Sequence, residues 1–310
     1  MRVLVTGGEG FLGRRVVDRF LARGEEVLVP RRQEYDLTVD ADAARAFADT
    51  RPDLVIHLAA EVGGIGANRA NPGRYWYANL VMGARVLEQS RAAGVEKLLI
   101  LGTVCSYPKH TAVPFREDDL WKGYPEESNA PYGVAKKALV VGAQAYREQY
   151  GLRAVSLLSA NLYGPGDNFD LETGHVIPHL VRKMVEAEER DAREVVLWGD
   201  GTPTREFLYV EDCADAIVLA ADRYDGPEPV NLGTGREISI RELAGLVAEL
   251  AGYEGEIAWD PSKPNGQPRR KLDTSRAEAL FGWSADTPLR EGLERTVGWY
   301  RSHAHAHAGT

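Results

Sequence analysis

Thr6-Gly7-Gly8-Glu9-Gly10-Phe11-Leu12-Gly13 joins a candidate strand, Arg2 to Thr6, to a segment of helix formers, Phe11 to Ala22. Glycines at 7, 10 and 13 have the spacing that permits a tight turn, brings backbone against a pyrophosphate and packs helix closely on strand. The helix N-terminus then offers its unpaired N–H groups and positive dipole end to phosphate. Glycine-rich turns are common in themselves, and an ordinary strand-helix turn is the plain reading. The strand-turn-helix setting turns this one into a candidate dinucleotide site.

Outward from this turn, the first 160 residues alternate short apolar runs with longer helical patterns. Candidate strands are Arg2 to Thr6, Glu26 to Pro30, Leu54 to Ala59, Lys97 to Gly102 and Ala154 to Ser159, and candidate helices are Phe11 to Ala22, Asp40 to Thr50, Tyr75 to Ala93 and Tyr132 to Tyr150. This order predicts an α/β fold, a Rossmann-type doubly wound parallel sheet. After Gly164 the chain becomes richer in Pro and Gly, with helices near Ile177 to Glu189, Val210 to Arg223, Ile240 to Leu250 and Leu289 to Arg301. We expect residues 1–164 with 205–235 to form the dinucleotide-binding domain, 165–204 with 236–302 a smaller C-terminal sugar-nucleotide lobe, and 303–310 a disordered tail.

The chain has 310 residues, 44% hydrophobic and 27% charged, which places it with globular proteins rather than disordered ones. No apolar run approaches the roughly 18 to 20 residues needed to span a bilayer, so no membrane partner is expected. A net charge of -9 argues against nucleic acid, while leaving room for a local basic pocket. The first strand begins at residue 2, which leaves no space for a leader and predicts a cytoplasmic location. Cys105 and Cys213 are expected to be free thiols. His303-Ala304-His305-Ala306-His307 has no second ligand cluster to accompany it, so no metal site is expected.

Two regions carry the candidate chemistry. Arg31 and Arg32 end the second strand, where an NAD-preferring domain usually offers a carboxylate to the ribose. Guanidinium groups there suit a 2′-phosphate, which favours NADP(H), while Glu9 in the turn pulls towards NAD(H), which stays possible. Tyr132 and Lys136 are four residues apart on one helix and share a face. Moving a phenol from its usual value towards 7 needs about 4 kcal/mol, which a nearby ammonium and a cationic nicotinamide could supply. Tyr132 would then exchange a proton with a carbonyl or carbinol oxygen, and Thr103 would hydrogen-bond the same oxygen.

With these residues in place the sequence resembles the extended short-chain dehydrogenase/reductases, and within them the GDP-L-fucose synthase branch. The segments that carry the likeness are Ala60 to Ile65, Leu101 to Pro108, Ala130 to Lys136, Asn161 to Pro165 with Asp167-Asn168-Phe169, Gly174 to Pro178, Trp198 to Phe207, and Ser262 to Gly266. The resemblance implies a nucleotide-sugar epimerase-reductase acting at carbon 4 of a GDP-sugar. Thr103, Tyr132 and Lys136 form its reductase triad, while Cys105 and His175 match the base and acid that invert carbons 3 and 5. A ketone at carbon 4 acidifies both neighbouring C–H bonds, so the chemistry is coherent.

For the cofactor, the implied positions are Gly7, Gly10, Phe11, Leu12 and Gly13 at the turn, Arg31 and Arg32, and Leu58, Ala59 and Ala60 after the third strand. Asn79, Asn161 and Leu162 join Tyr132 and Lys136 in that set. Asn161, His175, Lys183, Trp198, Arg205 and Arg270 are the implied substrate contacts. A homodimer built on the helices around Val81 to Arg91 and Val134 to Tyr146 is implied as well. The branch pattern has Ser-Ser-Cys where Thr103-Val104-Cys105 stands, basic residues where Glu9 and Glu61 stand, and arginine where Lys183 stands. Two rival readings remain: a redox-neutral 4-epimerase of a GDP-hexose or GDP-heptose with tightly held NAD(P)+, and a non-catalytic dinucleotide-sensing protein.

Overall fold

A computed structural model describes residues 1–263 and 265–303. The order begins β1 Arg2–Thr6, α1 Phe11–Ala22, β2 Glu26–Leu28, α2 Asp40–Thr50, β3 Leu54–His57, α3 Ile65–Ala70, α4 Pro72–Ala92, β4 Lys97–Thr103, α5 Ala130–Tyr150, β5 Arg153–Ser159. It continues through β6 Asn161–Tyr163, α6 Val176–Glu189, β7 Glu194–Trp198, β8 Thr204–Arg205, β9 Phe207–Tyr209, α7 Val210–Arg223 and β10 Val230–Leu232. Last come β11 Ile238–Ser239, α8 Ile240–Leu250, β12 Glu256–Asp260, α9 Ser275–Phe281 and α10 Leu289–His303.

The main sheet has six parallel strands in the order β10-β5-β4-β3-β1-β2. Nearly every residue of β1, β3, β4 and β5 is buried, which explains why these strands read as continuous apolar runs: both faces are covered. Along β1, Val3 and Val5 join the core under α1 and α7, while Leu4 joins the core under α2, α4 and α5. Ion pairs tie α1 to α7 through Arg19 with Glu211 and Asp215 and Arg23 with Asp222. The sheet order reverses at β1, with β2 on one side and β3 on the other, and such a switch opens a crevice beyond the strand ends.

A second core gathers α6, α8 and α10 with the inward residues of β7 and β9. Here β7 pairs in parallel with β12, and α8 starts with a capping box in which Ser239 and Glu242 satisfy each other's backbone N–H groups.

Several sequence boundaries shift for simple reasons. β2 stops at Leu28 rather than Pro30, since proline has no N–H for a ladder. β3 ends at His57 rather than Ala59, because Leu58 to Ala60 leave the sheet to line the crevice. α4 and α5 begin at Pro72 and Ala130, two or three residues before their periodic apolar pattern, each with a proline in the first turn, where a missing N–H costs nothing. His303 closes α10 and stacks on Trp299 at 4.4 Å between ring centroids; the rest of the expected tail, 304–310, lies outside the described residues.

Candidate active site

A cleft of about 1000 Å³ runs along the C-terminal ends of β1 to β5 and is closed on its far side by residues of the second core. At its dinucleotide end the glycine turn is built by Gly8 N–H donating to Val5 O (3.2 Å) and Gly10 N–H to Gly7 O (3.0 Å). A Cβ on Gly13 would collide with the Gly7 carbonyl, so only glycine lets α1 start this close to the turn. No side chain caps α1, and its first turn holds no acidic residue, so Phe11, Leu12 and Gly13 present backbone N–H groups to the cleft. These features fit a dinucleotide pyrophosphate.

Arg31 and Arg32 lie at the same end, 61% and 63% exposed, and both are paired: Arg31 with Glu9 at 2.9 Å, Arg32 with Glu61 at 3.0 Å. Glu61 also holds Arg74 at 2.5 Å. The Arg31–Glu9 pair is exposed on both sides and contributes about 0–1 kcal/mol, so an incoming phosphate can exchange with the Glu9 carboxylate, whereas Glu61 is only 12% exposed. Leu58, Ala59, Ala60, Asn161 and Leu162 all line the cleft. Asn79 does not reach it. Buried behind the β3 loop, its amide donates to Glu61 O (2.8 Å) and accepts from Glu61 N–H (3.1 Å), fixing the backbone that carries Glu61.

Thr103, Cys105, Tyr132, Lys136 and His175 all line this one cleft. β4 delivers Thr103 at its last position, and the following 3-10 turn, Val104–Ser106, carries Cys105, whose N–H donates to Thr103 Oγ1 at 3.2 Å. Tyr132 lies in the first turn of α5 and Lys136 one turn on. The ammonium of Lys136 donates to Leu101 O at 3.1 Å and, buried, is pushed down to about 8. Burial and the adjacent Cys105 push the Tyr132 phenol well above its usual range, with Thr103 opposing them. In the chain without a nicotinamide beside it, desolvation is the largest influence on this phenol.

Beneath Lys136, His57 bonds Thr6 Oγ1 at 2.8 Å, and burial, then Lys136, pushes its imidazole down to about 3, so it is neutral. His175 precedes α6 and is pushed down by burial and then by His179, which itself bonds Asp170 O at 2.8 Å.

The other expected residues also line the cleft, Arg270 among them within 3.4 Å of the Cys105 sulfur. Lys183 donates to Val196 O at 3.0 Å, and Trp198 is 59% exposed with Lys263 over its ring. Arg205 and Arg270 are both buried; burial and then the charge of Arg270 pull Arg205 down to about 9. Glu206, next to Arg205, accepts from Gly235 N–H (2.7 Å) and Leu272 N–H (2.6 Å), fastening together the segments that bear the two arginines. Glu126 faces these two buried guanidinium groups and partly offsets their charge, and the remaining positive charge suits an anion.

Four cleft residues had no role in the sequence reading. Trp259 stands on β12 under Arg241, Asn265 accepts from Asp200 N–H at 3.1 Å, and Gln267 lies beside Arg270. Asp167 lines the cleft with its carboxyl pushed up to about 7 by burial, against the Asn168 N–H and the charge of Arg15. Asn265 and Asp167 sat within quoted motifs; Trp259 belongs to a strand the apolar pattern did not disclose.

Residues 3–233 match the NAD dependent epimerase/dehydratase family. The chain belongs to this family. Among relatives, a GDP-L-fucose synthase of Sinorhizobium fredii is 44% identical over 295 residues, covering 95% of this chain and 94% of that protein. Among solved structures, a GDP-L-fucose synthetase from Naegleria fowleri bound to NADP has a TM-score of 0.88 at 28% identity, covering 98% of this chain and 95% of that one. A GDP-6-OMe-4-keto-L-xylo-heptose reductase from C. jejuni superposes with a TM-score of 0.91 at 27% identity over 97% of this chain and 98% of that one. The family membership and the Rossmann-type fold read from the sequence are thus borne out.

Proposed function

We propose that this chain is an NADP(H)-preferring GDP-sugar epimerase-reductase of the GDP-L-fucose synthase type, with NAD(H) as a weaker alternative. The observation that carries the reading is the near full-length likeness to GDP-L-fucose synthase, joined to one cleft that holds Thr103, Tyr132, Lys136, Cys105 and His175. The uncapped α1 turn and the paired arginines fit a phosphorylated dinucleotide. NADPH, when bound, supplies the hydride that reduces carbon 4.

The residues of the chain do the rest. A phenol pushed up by burial keeps its proton at neutral pH, which suits Tyr132 to donate it to the carbonyl oxygen as the ketone is reduced. Thr103 hydrogen-bonds that oxygen, and the Lys136 ammonium stabilises the phenolate left behind. Before reduction, Cys105 takes a proton from a carbon beside the ketone and His175 works on the opposite face. Arg205, Arg270 and Lys183 hold the pyrophosphate, and Trp198 packs against the nucleoside. The first core carries the dinucleotide and the second grips the sugar nucleotide.

A homodimer fits α4 and α5, whose outer faces expose Trp76, Tyr77 and Val141. No helix among the described residues is long and apolar enough to cross a membrane, and a cytoplasmic site of action fits two free thiols. The test is incubation with GDP-, UDP- and dTDP-linked 4-keto sugars and NADPH. We expect stoichiometric loss of NADPH absorbance with the GDP-4-keto-6-deoxy sugar and a product heavier by two hydrogens. Conversion without loss of NADPH would replace this reading with the redox-neutral epimerase, and binding of dinucleotide without turnover on any sugar would replace it with the sensing protein.

A further inference from the structure

Around the Cys105 sulfur the cleft is built from four separate segments. The Arg270 Nη1 donates to Cys105 Sγ at 3.4 Å, and its Nε donates to Gln267 Oε1 at 2.8 Å. Gln267 is anchored in turn, its amide donating to Lys109 O at 2.9 Å. Arg270 and Gln267 are only 7% and 4% exposed, so the guanidinium has little freedom to swing away from the sulfur. Arg205 adds a second positive charge that interacts with Cys105, and the Tyr132 phenol interacts with Cys105 as well. Glu126 faces the two arginines: burial works against its charge, but hydrogen bonds from Ser128 and Asn129 and the charge of Arg270 hold it below its ordinary range. Its negative charge partly offsets theirs.

We propose that Arg270, tethered by Gln267, is a positioning residue that stabilises the thiolate of Cys105. From the sequence Arg270 is implied only as a substrate contact. A neutral thiol is a poor acceptor, whereas a thiolate makes a charge-assisted bond with a guanidinium. The planar fork lets one group hold Gln267 and Cys105 together, which a lysine ammonium does only as a point charge. The inference deepens the proposed function, since it rests on Cys105 as the base. In that step the C–H bond beside the ketone breaks, an S–H bond forms, and the electron pair moves onto the ketone oxygen, giving an enolate and a neutral thiol.

The test uses the full chain without ligands. The rate of iodoacetamide alkylation at Cys105 is followed by intact mass against pH; Cys213 is wholly buried, and Cys105→Ser reports any background. We expect Arg270→Met to raise the midpoint and to slow alkylation near neutral pH about tenfold or more. Arg270→Lys should recover part of the shift, and Gln267→Leu, which frees the guanidinium from its tether, should move the midpoint the same way by less. The same midpoint in the parent and in Arg270→Met overturns the proposal. Should Arg270→Met not fold, unchanged midpoints in both Arg270→Lys and Gln267→Leu overturn it equally. Failure of Cys105 as base shows separately, as absence of solvent deuterium uptake into the keto sugar by the parent enzyme.

Discussion

Replacing Gly133 by alanine opposes two effects of known size. Gly133 lies inside α5, where alanine is favoured over glycine by about 0.8–1.0 kcal/mol on helix propensity alone. A Cβ at this position would run into the Cys105 carbonyl oxygen and come within 3.0 Å of the Cys105 carbonyl carbon. Both are backbone atoms of the 3-10 turn, which is locked by Ser106 Oγ donating to Gly133 O at 3.0 Å, so no flexible side chain can yield. Overpacking of this kind costs about 1–3 kcal/mol. The clash therefore outweighs the helix gain, and we expect net destabilisation of up to about 2 kcal/mol in urea unfolding. Relief of the clash pushes Thr103 and Cys105 away from Tyr132, and a displacement approaching 1 Å lowers the rate of reduction by about 100-fold. Gly245, inside α8 with nothing near its missing Cβ, is the control: Gly245→Ala should stabilise the chain and leave the rate unchanged. A Gly133→Ala protein more stable than its parent and fully active would refute the reasoning.

Two further expectations concern charge. Glu61→Ala releases Arg32 and Arg74 from the carboxylate they share, so affinity for NADPH should rise relative to NADH by up to about fivefold, an effect that fades with added salt; dinucleotide titration by fluorescence checks it, and an unchanged ratio counts against Arg32 as a phosphate ligand. Burial pushes the Asp167 carboxyl from 3.8 up to about 7, so the folded chain keeps a proton that the unfolded chain loses across that window, and stability falls as pH rises through it. Asp167→Asn should therefore raise the melting temperature more at pH 8 than at pH 4, and an equal gain at both would show that the carboxyl is already ionised.

The legible part of this molecule is the part whose physics is local. Continuous burial of β1, β3, β4 and β5 writes itself as apolar runs, the α1 turn needs glycine at fixed spacing, and Tyr132 and Lys136 share a helix face by periodicity alone. What escaped depends on contacts between distant segments. β7 and β12 pair across some sixty residues, with one face of β7 in solvent, so no apolar run marked them and Trp259 went unnoticed. Lys136 spends its ammonium on the Leu101 carbonyl, and the phenol is governed by desolvation; neither follows from a spacing of four. Asn79, by contrast, was implied by the resemblance as an anchor for backbone near the site, and it holds the Glu61 backbone.

In the proposed function one cleft performs two separable reactions, proton exchange by Cys105 and His175 and reduction assisted by Tyr132. Tyr132→Phe incubated in deuterium oxide with a GDP-4-keto-6-deoxy sugar and NADPH tests this most directly, read by proton NMR of the sugar and by NADPH absorbance. We expect deuterium to enter at carbons 3 and 5 at close to the parent rate, while reduction slows by about 100-fold or more. Reduction at the parent rate, or a parent enzyme that reduces the sugar with no deuterium at either carbon, would contradict it.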